Sequence, residues 1–220
     1  MPLVPVSLIV LYATVAATDW VAVARQVRPL EYVAKPGAMV VLIIAALGMA
    51  PADDVARIAL VVALAFSLGG DVALMIPGPD GERHPAGWFT AGIALFLVGH
   101  LAYVAGFWLE GAELAWLAAG GIAACAVIAF IGVPIIRAVQ GSAEPGLAAP
   151  VAVYIGVIAL MVCSAIGTGD PWAIAGAGLF AFSDATIARE RFISKATLGR
   201  IAIVVTYHAA QFGLLMSFAA

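Results

Sequence analysis

Two aspartates stand where a lipid-compatible chain has little structural use for them: Asp71, closing Phe66-Ser67-Leu68-Gly69-Gly70-Asp71, and Asp184, in Phe182-Ser183-Asp184. A charge at bilayer depth costs roughly 2.5–3.5 kcal/mol on insertion scales, so an ionisable residue there is a functional candidate by default. Two carboxylates facing one desolvated pocket have their proton affinities driven apart, which leaves one as acid and the other as base. Further polar residues share helical faces: Ser67 lies four before Asp71, Phe96, His100, Tyr103 and Phe107 form one stripe, and Arg200, Val204, Tyr207 and Gln211 form another. Lipid offers them no partner, so these faces must meet inside a bundle or line a wet cavity. Tyr12 and Asp19, seven apart, share another face, and Asp19 reads as a structural carboxylate paired with a lysine or a backbone amide. His208 reads as half of a helix–helix hydrogen bond, and His84, in a polar loop, as solvated surface.

The elements that must position these groups are membrane helices. The chain is 65% hydrophobic and 10% charged, with a mean hydropathy of +1.12, against about 45–50% apolar residues in soluble domains. A span needs about 20 apolar residues at 1.5 Å each, so residues 1–220 read as one all-α, polytopic bundle of about eight transmembrane helices. Pro, Gly and charge punctuation marks the runs at about 3–24, 36–50, 55–76, 86–108, 114–136, 147–166, 171–188 and 198–219. The second is short, or begins nearer Glu31 with Pro36 in its first turn. The apolar N-terminus reads as a first span rather than a removed signal peptide. The third and seventh runs both end in an Asp-bearing segment, four helices apart, which suggests a weak four-plus-four internal repeat. Cys125 and Cys163 read as core residues.

Nine of the ten Lys and Arg fall in the loops after the first, third, fifth and seventh runs or at their edges: Arg25, Arg28, Lys35, Arg83, Arg137, Arg189, Arg191, Lys195 and Arg200. Arg57 alone lies on the other face. Positive-inside then predicts those loops in the cytoplasm and both termini outside. On that map Asp19, Lys35, Asp71 and Asp184 share one depth in the cytoplasmic half, roughly 5–10 Å below the headgroups by the 1.5 Å rise. Lys35 and Arg200, near the headgroup plane, suit a phosphate, and the glycines beside Asp71 and His100 suit close helix packing.

Several functions are excluded or poorly supplied. A net charge of −3 with no basic stripe gives no nucleic-acid footprint. No G-x-S-x-G elbow is present, and neither cysteine neighbours a base in sequence. A metal set is not apparent: His100 and His208 lie in different spans, His84 in a loop, and no H-x-x-x-H occurs, so no metal or cofactor is expected. Gly70-Asp71 resembles the intramembrane aspartyl protease signature only faintly, since Leu68 replaces its first Gly and Ser183 the Tyr before the second Asp.

Lys35-Pro36, Phe66-Ser67-x-x-Gly70-Asp71-x-x-Leu74-Met75, Phe89-x-x-Gly92-x-x-x-Phe96-x-x-x-His100-x-x-Tyr103, Phe182-Ser183-Asp184 and Tyr207-x-x-x-Gln211 together resemble the YhhN-like lysoplasmalogenase family. That resemblance implies an eight-helix membrane enzyme hydrolysing the vinyl ether bond of a lysophospholipid, with Asp71 and Asp184 as the catalytic pair. Protonating the vinyl ether carbon gives an oxocarbenium ion, the kind of charge that paired carboxylates stabilise in glycoside hydrolysis. Asp71, in its glycine-lined apolar setting, reads as the proton donor and Asp184 as the group that orients water or steadies the cation, with the reverse assignment open. His100, Tyr103, Ser67, Ser183, Tyr207, Gln211, Asp19 and Arg200 read as supporting residues, Lys35 as the phosphate holder, and Phe96 and Phe107 as the bed for the chain. The alternative reading is a proton-coupled small-molecule transporter or a lipid-binding membrane protein. Crowding of the charges in one half favours the enzyme.

Overall fold

In a computed structural model, the described residues are 4–49, 54–76, 86–194 and 199–219. His84, Arg83 and Lys195 lie outside them. The described residues form eight long helices and no strand: α1 (Val6–Ala24), α2 (Arg28–Gly48), α3 (Asp54–Met75), α4 (Ala86–Glu110), α5 (Leu114–Gln140), α6 (Ala148–Gly167), α7 (Pro171–Phe192) and α8 (Gly199–Ser217). Helices are the expected answer in lipid, where each backbone N–H and C=O must be bonded within its own segment.

Six helices, α1 to α6, are long and apolar enough to cross a bilayer by composition alone. α7 and α8, of 22 and 19 residues, are less apolar overall. Their inward faces carry Ser183 and Asp184 on α7 and Tyr207, His208 and Gln211 on α8, all buried.

Two helices depart from their apolar runs. α2 starts at Arg28, ahead of the run expected from 36, because Pro29 fits the first turn and the polar Arg28, Glu31 and Lys35 extend the helix beyond the greasy stretch. Pro36 is accommodated inside it. α5 widens into a π-helical stretch, Val127–Gly132, just before Pro134. Proline lacks the N–H that would bond four residues back, and a wider turn is one way for a helix to carry such a break.

Seven helices close a ring: α1 packs on α2, α2 on α3, α3 on α4, α4 on α6, α6 on α7, α7 on α8, and α8 returns to α1 and α2. α5 stands outside, laid mainly against α6. Cys125, expected in the core, is therefore exposed on α5. The tightest pairs, α3–α4 and α7–α8, hold corresponding places in the two halves of the anticipated repeat, although hairpin neighbours pack this way without any duplication.

Glycine makes both contacts close. A Cβ at Gly70 would lie 2.5 Å from the Phe96 ring, and one at Gly176 would lie 2.8 Å from the Leu214 backbone nitrogen. α7 itself begins where Asp170 accepts a hydrogen bond from the Ala173 N–H at 2.8 Å, with Pro171 in its first turn.

Candidate active site

Asp184 projects from the middle of α7 into the wall of a pocket enclosed by α3, α4, α5, α6 and α7, about 650 Å³ of space counting its open mouth. Leu, Ile, Val, Ala and Phe supply nearly all of that wall, and Asp184 and Tyr154 are its two polar side chains among the described residues. The π-helical stretch of α5 contributes Val127 and Ile131 to it. An apolar cavity with few convergent polar groups is the usual form of a ligand site.

The contacts of Asp184 are one-sided. Tyr154 Oη donates to Oδ2 at 2.7 Å, and His100 Nε2 lies 3.7 Å from the same oxygen. Oδ1 has no hydrogen-bond partner among the described residues. His100 Nδ1 is 2.6 Å from the Phe96 carbonyl oxygen. A carbonyl only accepts, so Nδ1 carries a hydrogen, and in the neutral ring Nε2 turns its lone pair toward Asp184.

Asp71, on α3, sits 1% exposed behind Phe96. Lys35 Nζ is 2.9 Å from its Oδ1, and Tyr207 Oη donates to its Oδ2 at 2.5 Å. Tyr207 Oη also lies 3.3 Å from the Gln211 amide nitrogen and from the Met39 sulfur, while Tyr103 Oη donates to Gln211 Oε1 at 2.5 Å. Both charges of the ion pair are thus inside the bundle. Lys35 is committed to Asp71, which differs from the phosphate-holding place expected for it at the headgroup plane.

No hydrogen bond or ion pair joins the two carboxylates among the described residues. Between them stand edge-on rings: Tyr207 and Phe180 at 5.5 Å between centroids, Phe180 and His100 at 4.5 Å, and Phe96 against both Phe180 and Tyr207 at 6.0 and 6.1 Å. His100 and Tyr103, one turn apart on α4, are divided by this cluster, the first serving Asp184 and the second the network of Asp71.

The remaining candidates fall around these centres. Ser67 is buried on α3, and Ser183 donates to the Ile203 carbonyl at 3.1 Å, tying α7 to α8. Arg200 grips both oxygens of Glu31 at 2.8 and 2.9 Å. Asp19 is fully buried, yet neither of its oxygens has a hydrogen-bond partner, so it makes neither the lysine pair nor the amide bond expected of it. Its neighbour Trp20 donates to His208 Nδ1 at 3.0 Å, the helix–helix bond foreseen for that histidine. Phe96 lines the pocket, but Phe107 stacks on Tyr103 and Phe218 in the core instead. Tyr154 was not singled out by sequence reasoning. Its one signal was a phenol in an otherwise apolar run, too common to count until Asp184 is found beside it.

Residues 30–218 match the YhhN family. The chain is 29% identical over 157 residues to lysoplasmalogenase TMEM86B of Rattus norvegicus, covering 70% of this chain and 59% of that protein. The same identity and length hold against lysoplasmalogenase TMEM86B of Mus musculus, covering 70% and 61%. The chain thus spans about 60% of the length of these curated relatives. No solved structure matches it.

Proposed function

The chain belongs to the YhhN family, and on that premise we propose that it is a membrane hydrolase that cleaves the vinyl ether bond of lysoplasmalogen-type lysophospholipids, with Asp184 as its acid–base group. The names of its rat and mouse relatives support the reaction. The observation that carries the assignment is the unpartnered Oδ1 of Asp184 in the wall of an apolar pocket, with Tyr154 and His100 both directed at Oδ2.

In this reading the reactive end of the lipid chain enters the pocket and meets Oδ1. The Asp184 proton passes to the vinyl carbon beyond the ether carbon, the double-bond electrons form the new C–H bond, and an oxygen lone pair completes an oxocarbenium ion. The carboxylate left behind faces that cation in a dry site, where a fixed charge is worth far more than in water. Water adds to the cationic carbon and returns a proton to Asp184. The hemiacetal C–O bond then breaks, its hydroxyl proton passes to the glycerol oxygen, and a fatty aldehyde and a glycerophospho alcohol leave.

Tyr154 holds the carboxyl by one oxygen so that the other faces the substrate, and His100 borders the same oxygen. Asp71, behind Phe96, acts from outside the pocket. Its ion pair fixes α2 and α3, and its bond from Tyr207 fixes α8, against the helices that carry the reacting groups. This reverses the order of roles that the sequence favoured, because the pocket opens on Asp184. The basic residues Arg137, Arg189 and Arg191 lie in the last turns of α5 and α7, beside the wall residues Ile135, Ala188 and Phe192, and the positive-inside tendency supports a site in the cytoplasmic half.

Purified protein in lipid nanodiscs should release aldehyde from a lysoplasmalogen, and Asp184→Asn should lower kcat about 100- to 10,000-fold, the usual worth of a positioned acid. An undiminished rate in that variant overturns the mechanism. Proton-coupled uptake into vesicles with no aldehyde release overturns the hydrolase.

A further inference from the structure

Beside the pocket wall one cation ties α7 to α4 and to the α5–α6 connection. Arg191, on the last turn of α7, holds Glu144 of the α5–α6 connection through Nε at 3.1 Å and through Nη2, which is 2.8 Å from each carboxylate oxygen. The same guanidinium lies 3.9 Å from the centroid of Phe89 on α4 and 5.6 Å from that of Phe192. Both of those rings line the pocket. Arg191 is only 10% exposed and Glu144 28%. A planar fork held on aromatic faces and paired with an oxyanion has the geometry that serves a phosphate equally well.

We propose that Arg191 is the phosphate-binding residue for the lysophospholipid headgroup, with Glu144 occupying the guanidinium until the phosphate displaces it. This rests on the hydrolase reading for the identity of the lipid. Spacing supports it: Arg191 lies seven residues after Asp184, two turns along the same face of α7 and about 10.5 Å of rise. The glycerol bridge from phosphorus to the vinyl ether carbon reaches on the order of 8 Å with bond lengths near 1.5 Å. The phosphate–guanidinium contact at one end and the contact of the Asp184 carboxyl with the vinyl carbon at the other close the remainder. The two cations that sequence reasoning favoured for this task are engaged elsewhere, Lys35 in the core with Asp71 and Arg200 with Glu31, whereas Arg191 rests on Phe89 and Phe192, two rings of the pocket wall. A carboxylate in the place of the phosphate also gives selectivity. A neutral or headless lipid gains nothing by breaking the Arg191–Glu144 pair, whereas a phosphate replaces one charge-assisted contact with another.

The test compares two substrates in the same nanodisc preparation, a lysoplasmalogen with its phosphoethanolamine head and the 1-alkenyl glycerol that lacks the phosphate. In the wild type the first should have a KM tenfold or more below the second. Arg191→Gln should bring the ratio of the two KM values close to one, Arg191→Lys should leave it in between, and Glu144→Gln should lower the KM of the phosphate-bearing substrate. A ratio unchanged in Arg191→Gln overturns the proposal. So does a Glu144→Gln variant that loses affinity as Arg191→Gln does, which would make the pair a structural clamp. Binding of a non-hydrolysable alkyl-ether lysophosphatidylethanolamine separates this idea from the reaction it rests on. If the wild type binds that lipid but releases no aldehyde, and Arg191→Gln loses the binding, the phosphate site stands and the hydrolase falls. Equal binding by both proteins removes the site.

Discussion

Asp71 and Asp184 are near-twins in placement and opposites in circumstance. Each sits inward on one helix of a tightly packed pair, α3–α4 or α7–α8, and each accepts a phenol on Oδ2, from Tyr207 at 2.5 Å and from Tyr154 at 2.7 Å. What differs is the other oxygen. Lys35 lies against Oδ1 of Asp71, while Asp184, with no hydrogen-bond partner for its Oδ1 among the described residues, lines an apolar pocket. The lesson is that burial alone does not mark a reacting carboxylate, since the more buried of the two is the one whose oxygens are both occupied, one by the Lys35 ammonium and one by the Tyr207 phenol. An acid that must give up its proton to a ligand needs one oxygen left for the ligand.

The sharpest way to break that comparison is to neutralise each carboxylate in turn. Asp184→Asn should remove about 100- to 10,000-fold of kcat while the melting temperature moves little, because the amide keeps the shape and Tyr154 can still donate to its oxygen. Asp71→Asn should do the reverse to stability. It leaves the Lys35 ammonium buried without its counter-charge, a change that costs about 3–5 kcal/mol when one partner of a buried pair is removed. Thermal unfolding in detergent should show it, and Lys35→Met in the same chain should recover much of the loss. If Asp71→Asn instead proves fully stable and inactive, the two carboxylates share the chemistry and the closed centre is part of the active site.

How far the sequence foretold this difference can be argued from the same residues. Apolar run length placed seven of the eight helices within about four residues of their observed ends and missed only the start of α2, at Arg28 rather than 36, because in lipid the period and length of hydrophobicity leave the chain few choices. Charge at bilayer depth picked out Asp71 and Asp184, and helical spacing picked out His100, Tyr103, Tyr207 and Gln211. Spacing places residues on one face of one helix and says nothing of which neighbour that face meets. Hence Lys35 was read as a headgroup cation when it crosses to Asp71, and Tyr103 was grouped with His100 although Phe96 and Phe180 separate their tasks. The pocket is a gap among five helices, one of them α5 outside the ring, and its shape depends on packing that no single segment encodes. Tyr154 and the Arg191–Glu144 pair became visible only with that packing.

The two phenols allow a finer cut. Tyr154→Phe removes one hydrogen bond from the Asp184 carboxyl and should lower kcat roughly tenfold, about 1–1.5 kcal/mol, with KM nearly unchanged. Tyr207→Phe removes the matching bond from Asp71 and should appear as lowered stability of similar size, with kcat within about twofold. Equal effects of both on kcat would erase the division between an open and a closed carboxylate.

The smallest expected effect concerns whether the closed centre is closed. Two cations near the α1–α2–α8 contact are each taken by one acid, Lys35 by Asp71 and Arg200 by Glu31, which leaves Asp19 buried with both oxygens unbonded. A buried polar group without a partner costs about 1–3 kcal/mol, and replacing it by an apolar side chain is close to neutral or stabilising. Asp19→Leu should therefore raise the melting temperature slightly, equivalent to about 1 kcal/mol or less once the larger side chain has been fitted between α1 and its neighbours. A loss of stability approaching that of Asp71→Asn would mean that Lys35 divides its charge between two carboxylates. Asp71 would then be only partly neutralised in the folded protein, and what sets Asp184 apart would reduce to its access to the pocket, with no contribution from the saturation of its counterpart.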